Sequence, residues 1–142
     1  MDVSIVGLLH PGEMGAAVGA VLRSQGHEVL WASQGRSEAT RERAERAGLR
    51  DAGSVDALAR EADLVLALCP PHAARDVAAQ LAGYERLYVD ANAVAPATAR
   101  AIGARFRRFV DGGLVGSPPG SSPTRLYLSG DEAESVASAK SV

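Results

Sequence analysis

The stretch that decides the fold is Gly7-Leu8-Leu9-His10-Pro11-Gly12-Glu13-Met14-Gly15, near the start of the chain. Val3, Ile5 and Val6 before it predict a buried strand, and apolar residues from Met14 to Leu22 recur at the offsets of one helix face. In a glycine-rich turn between a strand and a helix, backbone N–H groups and the positive end of the helix dipole attract a dinucleotide pyrophosphate. The stretch therefore predicts a nucleotide-binding α/β domain.

The glycine spacing departs from the common Gly-x-Gly-x-x-Gly pattern. Four residues, Leu8 to Pro11, separate Gly7 from Gly12, whereas the second half of the pattern, Gly12-x-x-Gly15, is intact. A glycine-rich turn that binds no ligand is therefore an open alternative, and His10 in this turn has two open interpretations, a phosphate contact or a surface residue. The residues expected to contact a cofactor here are Gly7, Leu8, Gly12, Glu13, Met14 and Gly15.

Composition excludes several classes of protein. A chain of 142 residues with one cysteine, Cys69, is long enough for one domain, and it can form no disulfide within itself. The three histidines have no metal-ligand spacing, and the formal net charge of −2 gives no basic surface for nucleic acid or for a membrane. No apolar run approaches the length of a membrane span, and no signal peptide is expected. We therefore expect a soluble, cytoplasmic protein without a metal.

Short apolar runs alternate with helical patterns along the chain. This order predicts a Rossmann-type α/β fold, a doubly wound and mainly parallel sheet with helices on both faces. Residues 1–130 are expected to form a nucleotide-binding domain, and residues 131–142 a terminal helix that could begin a further helical domain. The Gly/Pro/Ser-rich segment Gly112–Pro123 is expected to interrupt the pattern as a loop at the site or as a plain connection. The expected strands are 3–6, 28–32, 64–68, 87–89, 109–110 and 126–128, and the expected helices are 14–25, 37–47, 54–61, 73–82, 96–104 and one from residue 131.

The end of the second strand indicates which dinucleotide is bound. An NAD-binding domain of this type usually has an Asp or Glu about 20 residues after the glycines, and the run Trp31-Ala32-Ser33-Gln34-Gly35-Arg36-Ser37 has none. Arg36 offers a guanidinium fork, and Ser33 and Ser37 offer hydroxyls, which are the groups that bind a ribose 2′-phosphate. The sequence therefore favours NADP, with Trp31 beside the phosphate pocket. A solvated Arg36 and a Ser37 that only caps a helix are the alternative, whereas S-adenosylmethionine is disfavoured because it has no 2′-phosphate.

At this point the chain resembles the β-hydroxyacid dehydrogenase and 6-phosphogluconate dehydrogenase family from Val3 to about Gly130. The resemblance lies in Gly12-Glu13-Met14-Gly15, in Gly26-His27-Glu28-Val29 followed by Arg36-Ser37, in Cys69-Pro70-Pro71, in Asp90 to Pro96, and in Val110 to Gly116. It implies the NADP-binding domain of an oxidoreductase that transfers hydride at a hydroxy or imino carbon of a small carboxylate substrate. A stand-alone NADP-binding or sensing module is the alternative function.

The resemblance also implies where the nicotinamide and the substrate bind. The residues that it places beside the nicotinamide are Cys69, Pro70, Pro71 and Asn92, and those beside the substrate are Asn92, Ala93, Gly116 and Ser117. Asn92 and Val115 stand where the family has serines, which leaves substrate recognition open. The family's catalytic lysine belongs to a helical domain that follows this one, and Lys140, the only lysine here, is expected to be a surface residue.

Other expectations concern residues with reactive side chains and the partners of the chain. Asp90 and Asp111 are expected to tie loops at strand ends, Cys69 to be a structural thiol, and Glu13 to face solvent because it would repel a pyrophosphate. No catalytic residue is assigned. The expected partner is a small-molecule substrate, with a second copy of the chain as a further option.

Overall fold

The computed structural model describes residues 4–9, 11–92, 94–116 and 124–129. The strands in chain order are β1 (Ile5–Leu8), β2 (Glu28–Trp31), β3 (Arg50–Asp51), β4 (Leu64–Ala67), β5 (Leu87–Asp90), β6 (Arg108–Gly116) and β7 (Thr124–Ser129). The helices are α1 (Glu13–Ser24), α2 (Glu38–Arg46), α3 (Val55–Glu61), α4 (Ala74–Ala79), which follows a 3-10 turn at Pro71–Ala73, and α5 (Pro96–Gly103).

All seven strands form one sheet in the order β3-β2-β1-β4-β5-β6-β7. The first six strands run parallel, and β7 pairs antiparallel with β6. The order 3-2-1-4-5-6 is that of a Rossmann fold, so the expected fold class is confirmed. The strand order reverses between β1 and β4, and ligands of such sheets bind outside the carboxyl ends of the strands at this switch point.

Two hydrophobic clusters, one on each face of the sheet, form the core. On strand β4 the alternate residues Leu64 and Leu66 belong to one cluster, and Val65 and Ala67 belong to the other. All four residues are buried, which confirms the expected strand buried on both faces. The strands are thus packed on both faces, and the loops at their carboxyl ends start from buried residues.

Two regions of the sheet differ from the expectation. Strand β6 continues through Gly112–Gly116, which was expected to interrupt the pattern, because its backbone pairs with β7 in the register Gly112↔Leu128 and Leu114↔Leu126. Strand β3 was not expected at all, since two exposed polar residues give no hydrophobic period. Residues 117–123 and the expected helix from residue 131 lie outside the described residues.

None of the helices in the described ranges combines the length and the apolar composition that a membrane span needs. The same part of the chain brings together no group of three or more His, Cys, Asp or Glu side chains that could hold a metal ion.

Candidate cofactor site

A cleft of about 360 Å³ opens at the switch point of the sheet, between the loops that follow β1 and β4. Its walls come from three loops at the carboxyl ends of β1, β4 and β5. The lining residues are Gly12, Glu13, Met14, Gly15, Leu68, Cys69, Pro70, Pro71, Ala91 and Asn92. The fold thus brings together eight residues that the sequence assigned to a cofactor site, and it adds Leu68 and Ala91, which the sequence did not single out.

The first two expected cofactor residues, Gly7 and Leu8, do not line the cleft, because both are buried within β1. A Cβ atom on Gly7 would lie 2.6 Å from Leu58 Cδ2 and 3.2 Å from Ala62 Cβ. Leu58 lies in α3 and Ala62 directly follows this helix, which packs on β1. Gly7 is therefore required for the close approach of α3 to the sheet.

Gly12, in contrast to Gly7, has open space where a side chain would begin. It is the N-cap residue of α1 with extended backbone angles (φ −69°, ψ −172°), and a Cβ atom there would have no heavy atom within 4 Å. Nothing within the described part of the protein excludes a side chain at this wall of the cleft. The absence of a side chain leaves room for a ligand beside the first turn of α1, where backbone N–H groups and the helix dipole favour an anion.

Glu13 follows in the first turn of α1 and is exposed at the rim of the cleft. The exposure agrees with the expectation that this carboxylate faces solvent. The turn before it is held to α2 by a hydrogen bond in which Arg43 Nη1 donates to the carbonyl of Pro11 over 3.2 Å. His10 lies outside the described residues.

Asn92 joins the β5 loop to the β4 loop across the cleft. Its Oδ1 accepts a 2.8 Å hydrogen bond from the backbone N–H of Cys69, and its Nδ2 donates to Cys69 Sγ over 3.3 Å. Asn92 is buried, so the amide that was expected to contact cofactor and substrate is engaged in holding the Cys69–Pro71 loop. Burial raises the pKa of the Cys69 thiol and nearby Asp90 raises it further, although the Asn92 hydrogen bond opposes both. The raised pKa disfavours the thiolate form that a nucleophilic cysteine would need.

Asp90, at the end of β5, is fully buried. Its Oδ1 accepts a 2.8 Å hydrogen bond from the backbone N–H of Asn92, whereas its Oδ2 has no hydrogen-bond partner among the described residues. Burial raises the pKa of Asp90 to about 6; the hydrogen bond from Asn92 opposes this, and the neighbouring carboxylate of Asp111 adds to it. Asp90 ties the loop that carries Asn92, in agreement with the expected role.

The loop after β2 carries the three residues assigned to a 2′-phosphate, Ser33, Arg36 and Ser37. It turns at Gly35 (φ +79°), and the backbone N–H of Arg36 donates to the carbonyl of Ser33 over 2.9 Å. Arg36 is exposed. Ser37 caps α2, because its Oγ accepts a hydrogen bond from the backbone N–H of Thr40 at 3.2 Å. Ser37 thus caps the helix, and its Oγ also lies 3.0 Å from Thr40 Oγ1, where either hydroxyl can donate.

The same loop contacts Asp51, a residue that the sequence did not single out. Asp51 Oδ1 accepts from the backbone N–H groups of Ser33 (3.2 Å) and Gly53 (2.7 Å), and the Ser33 hydroxyl also hydrogen-bonds to this carboxylate. Burial raises the pKa of Asp51, but the hydrogen bonds from Ser33 and Gly53 outweigh it, so the pKa lies below the ordinary value. Asp51 lies in β3, a strand that the sequence did not predict, so the sequence could not place this carboxylate beside the loop after β2.

The side chain of Trp31, expected beside the phosphate pocket, is buried in the core beneath the end of β2. Of the expected substrate residues, Gly116 ends strand β6, and Asn92 is turned to Cys69. Ala93, Ser117 and Lys140 lie outside the described residues.

Comparison with known proteins agrees with this geometry. A conserved protein of unknown function, described as structurally similar to 3-hydroxyacid dehydrogenases, is 29% identical, with a TM-score of 0.85 over 94% of this chain and 53% of its own. A 3-hydroxyisobutyrate dehydrogenase of Mycobacterium tuberculosis, solved with L-serine, is 21% identical, with a TM-score of 0.79 over 96% of this chain and 50% of its own. A reductive aminase of Aspergillus terreus, solved with NADPH and ethyl-5-oxohexanoate, is 20% identical, with a TM-score of 0.76 over 97% and 52%.

These likenesses confirm the resemblance to hydroxyacid dehydrogenases, and the chain spans about half the length of the solved structures it matches. No curated protein matches it. A family model described as "NADP oxidoreductase coenzyme F420-dependent" matches residues 5–94, which is more than half of the chain and runs from β1 to the loop after β5. The chain belongs to this family of NADP oxidoreductases.

Proposed function

We propose that this chain binds NADP(H) across the carboxyl ends of β2, β1 and β4. The pyrophosphate lies against Gly12–Gly15 in the cleft, the adenosine ribose with its 2′-phosphate lies over Ser33–Ser37, and the nicotinamide lies beside the Cys69–Pro71 loop. The observation that carries the proposal is the open wall at Gly12, where a Cβ atom would meet none of the described residues but would occupy the space of a ligand. The family description supports the choice of NADP.

The residues of the chain supply binding and orientation. The first turn of α1 offers backbone N–H groups to the pyrophosphate. Arg36 offers a guanidinium to the 2′-phosphate, and Asn92 fixes the Cys69 loop against which the nicotinamide would pack. Bound NADP(H) would supply the hydride chemistry itself, since the cofactor carries the reaction and the protein positions it.

We further propose that the reaction is hydride transfer at the hydroxy or imino carbon of a small carboxylate. The similarity to 3-hydroxyacid dehydrogenases and to a reductive aminase supports this class. Because the matched solved structures are about twice as long, we expect the 142-residue chain alone to bind NADPH and to turn over little. A rapid oxidation of NADPH by this chain with hydroxyacid-derived ketones or imines would contradict that expectation.

The family description favours one second candidate, hydride exchange between NADP and coenzyme F420. The two reactions use the same cofactor cleft and differ in the partner that faces the nicotinamide. Assays of NADPH oxidation with coenzyme F420 and with carboxylate substrates, run in parallel, discriminate between them.

Trp31 allows a direct test of cofactor binding. It is the only tryptophan in the chain, and it is buried at the carboxyl end of β2, the edge of the sheet at which the cleft opens. We expect saturable quenching of its emission by NADPH and much weaker quenching by NADH at equal concentration. The absence of saturable binding of either nucleotide, confirmed by calorimetry, would overturn the proposed function.

A further inference from the structure

A second arginine stands at the carboxyl end of β2, beside the loop assigned to the 2′-phosphate. Arg41 lies in α2, one turn after Ser37, and its guanidinium carbon is 5.9 Å from the centroid of the Trp31 ring. Its Nη1 is 3.6 Å from Asp51 Oδ2, and its Nε is 3.8 Å from Glu38 Oε2. The side chain thus bends from the helix towards the ends of β2 and β3.

Asp51 lies between this guanidinium and the loop assigned to the 2′-phosphate. One oxygen of its carboxylate accepts the hydrogen bond from the backbone N–H of Ser33, and the other oxygen faces Arg41. A single carboxylate therefore lies between the guanidinium, 3.6 Å away on one side, and the backbone N–H of Ser33, 3.2 Å away on the other. A second link joins the loop after β2 to the turn after β3, because the backbone N–H of Gln34 donates to the carbonyl of Gly53 over 2.9 Å.

The contacts of Arg41 are of a kind that a phosphate can replace. Both separations from carboxylate oxygens are longer than a hydrogen bond, and exposed ion pairs of this type contribute little to stability. The Arg41 side chain is 43% exposed, so a ligand at the loop can reach it. By contrast, the ring of Trp31 below it is held in the core and gives the guanidinium a fixed surface.

We propose that Arg41 is a specificity-determining residue for the ribose 2′-phosphate, acting together with Arg36. The inference rests on the proposed function, because it assumes that the adenosine ribose lies over the loop after β2. A guanidinium beside a phosphate forms charge-assisted, bidentate hydrogen bonds, which NADH cannot form for lack of the phosphate. In the free protein the carboxylate of Asp51 contacts both Ser33 and Arg41.

The test compares two adenosine nucleotides that differ only in the 2′-phosphate, adenosine 2′,5′-bisphosphate and adenosine 5′-phosphate, titrated calorimetrically into the full chain. In the Arg41→Gln variant we expect the affinity for the bisphosphate to fall about tenfold or more, while that for the 5′-phosphate stays within about twofold. Arg46→Gln is the matched control, because Arg46 is an exposed arginine of the same helix. It should change neither affinity.

The outcomes separate this inference from the proposed function. If the wild-type chain does not prefer the bisphosphate over the 5′-phosphate, both are overturned. If the wild type prefers it and Arg41→Gln keeps that preference, or loses affinity for both nucleotides equally, only the role of Arg41 is overturned. Should Arg41→Gln fail to fold, Arg41→Met decides. This variant removes the guanidinium but keeps an unbranched side chain over Trp31, so an unchanged preference for the bisphosphate would refute the role, and selective weakening would support it.

Discussion

Replacing the buried Asp90 by asparagine is expected to stabilise the protein at neutral pH. Burial raises the pKa of Asp90 from its ordinary value of 3.8 to about 6, and only one of its two oxygens has a hydrogen-bond partner among the described residues. One pKa unit corresponds to about 1.4 kcal/mol, so a rise of about two units means that the ionised carboxylate destabilises the fold by about 3 kcal/mol above pH 6. An asparagine side chain at this position would carry no charge and would keep an oxygen for the backbone N–H of Asn92.

The sign of the pH dependence follows from proton binding. The folded protein binds the Asp90 proton more tightly than the unfolded chain does. The stabilisation of the fold that comes from this protonation is therefore fully present below about pH 4 and is lost as the pH rises through 6. We therefore expect Asp90→Asn to exceed the wild type in free energy of unfolding by up to about 3 kcal/mol at pH 7. The excess should shrink to about 0.5 kcal/mol at pH 4, where the carboxyl of the wild type is almost fully protonated in the folded state and still partly ionised in the unfolded chain.

Urea unfolding of both proteins between pH 4 and pH 8 measures this difference and cancels the pH dependence of the groups they share. Glu42→Gln, which neutralises an exposed carboxylate on α2, is the control, with a change of no more than about 0.5 kcal/mol at any pH. A variant that is less stable than the wild type at pH 7, or a stability difference that does not vary with pH, would refute the reasoning.

Three further predictions concern the cleft and the β2 loop. Gly7→Ala should lower the free energy of unfolding by about 1–3 kcal/mol in chemical denaturation, because the new methyl group overlaps Leu58; a variant as stable as the wild type would contradict the packing role. Iodoacetamide should alkylate Cys69 slowly at pH 7 and faster as the pH rises, because the pKa of the thiol is raised, and NADPH should slow the labelling seen by mass spectrometry; labelling that NADPH does not affect would place the nucleotide elsewhere. Arg36→Ala should weaken NADPH binding about tenfold or more and leave NADH binding almost unchanged, whereas equal weakening of both would exclude a 2′-phosphate contact.

Features that depend on local sequence could be predicted. The glycine-rich turn before α1 is marked by the change from an apolar run to a helical period, and the four-residue strand Leu64–Ala67 is marked by its continuous hydrophobicity. Together with the regular alternation of strands and helices, these signals were sufficient to predict a mainly parallel sheet with helices on both faces, although they gave no sign of β3. The Gly12–Gly15 wall of the cleft followed from the same turn.

Features that depend on pairing between distant residues could not be predicted. The glycines after Asp111 resemble a loop in sequence, and they form a strand only because β7 supplies backbone partners from Thr124 onwards. Gly7 was assigned to a ligand because of its spacing, yet its surroundings are set by α3, about 50 residues later in the chain. The link from Asn92 to Cys69 likewise exists only once β4 and β5 lie side by side.

The central claim is that the cleft at the switch point holds the pyrophosphate of NADP(H), and Gly12→Ala tests it most directly. A methyl group at this position meets none of the described residues and replaces an N-cap glycine, so the free energy of unfolding should change by no more than about 1 kcal/mol. Calorimetric titration should nevertheless show an NADPH affinity at least about tenfold below that of the wild type, because the methyl group occupies the phosphate's place. A Gly12→Ala protein that is equally stable and binds NADPH as tightly as the wild type would contradict the account.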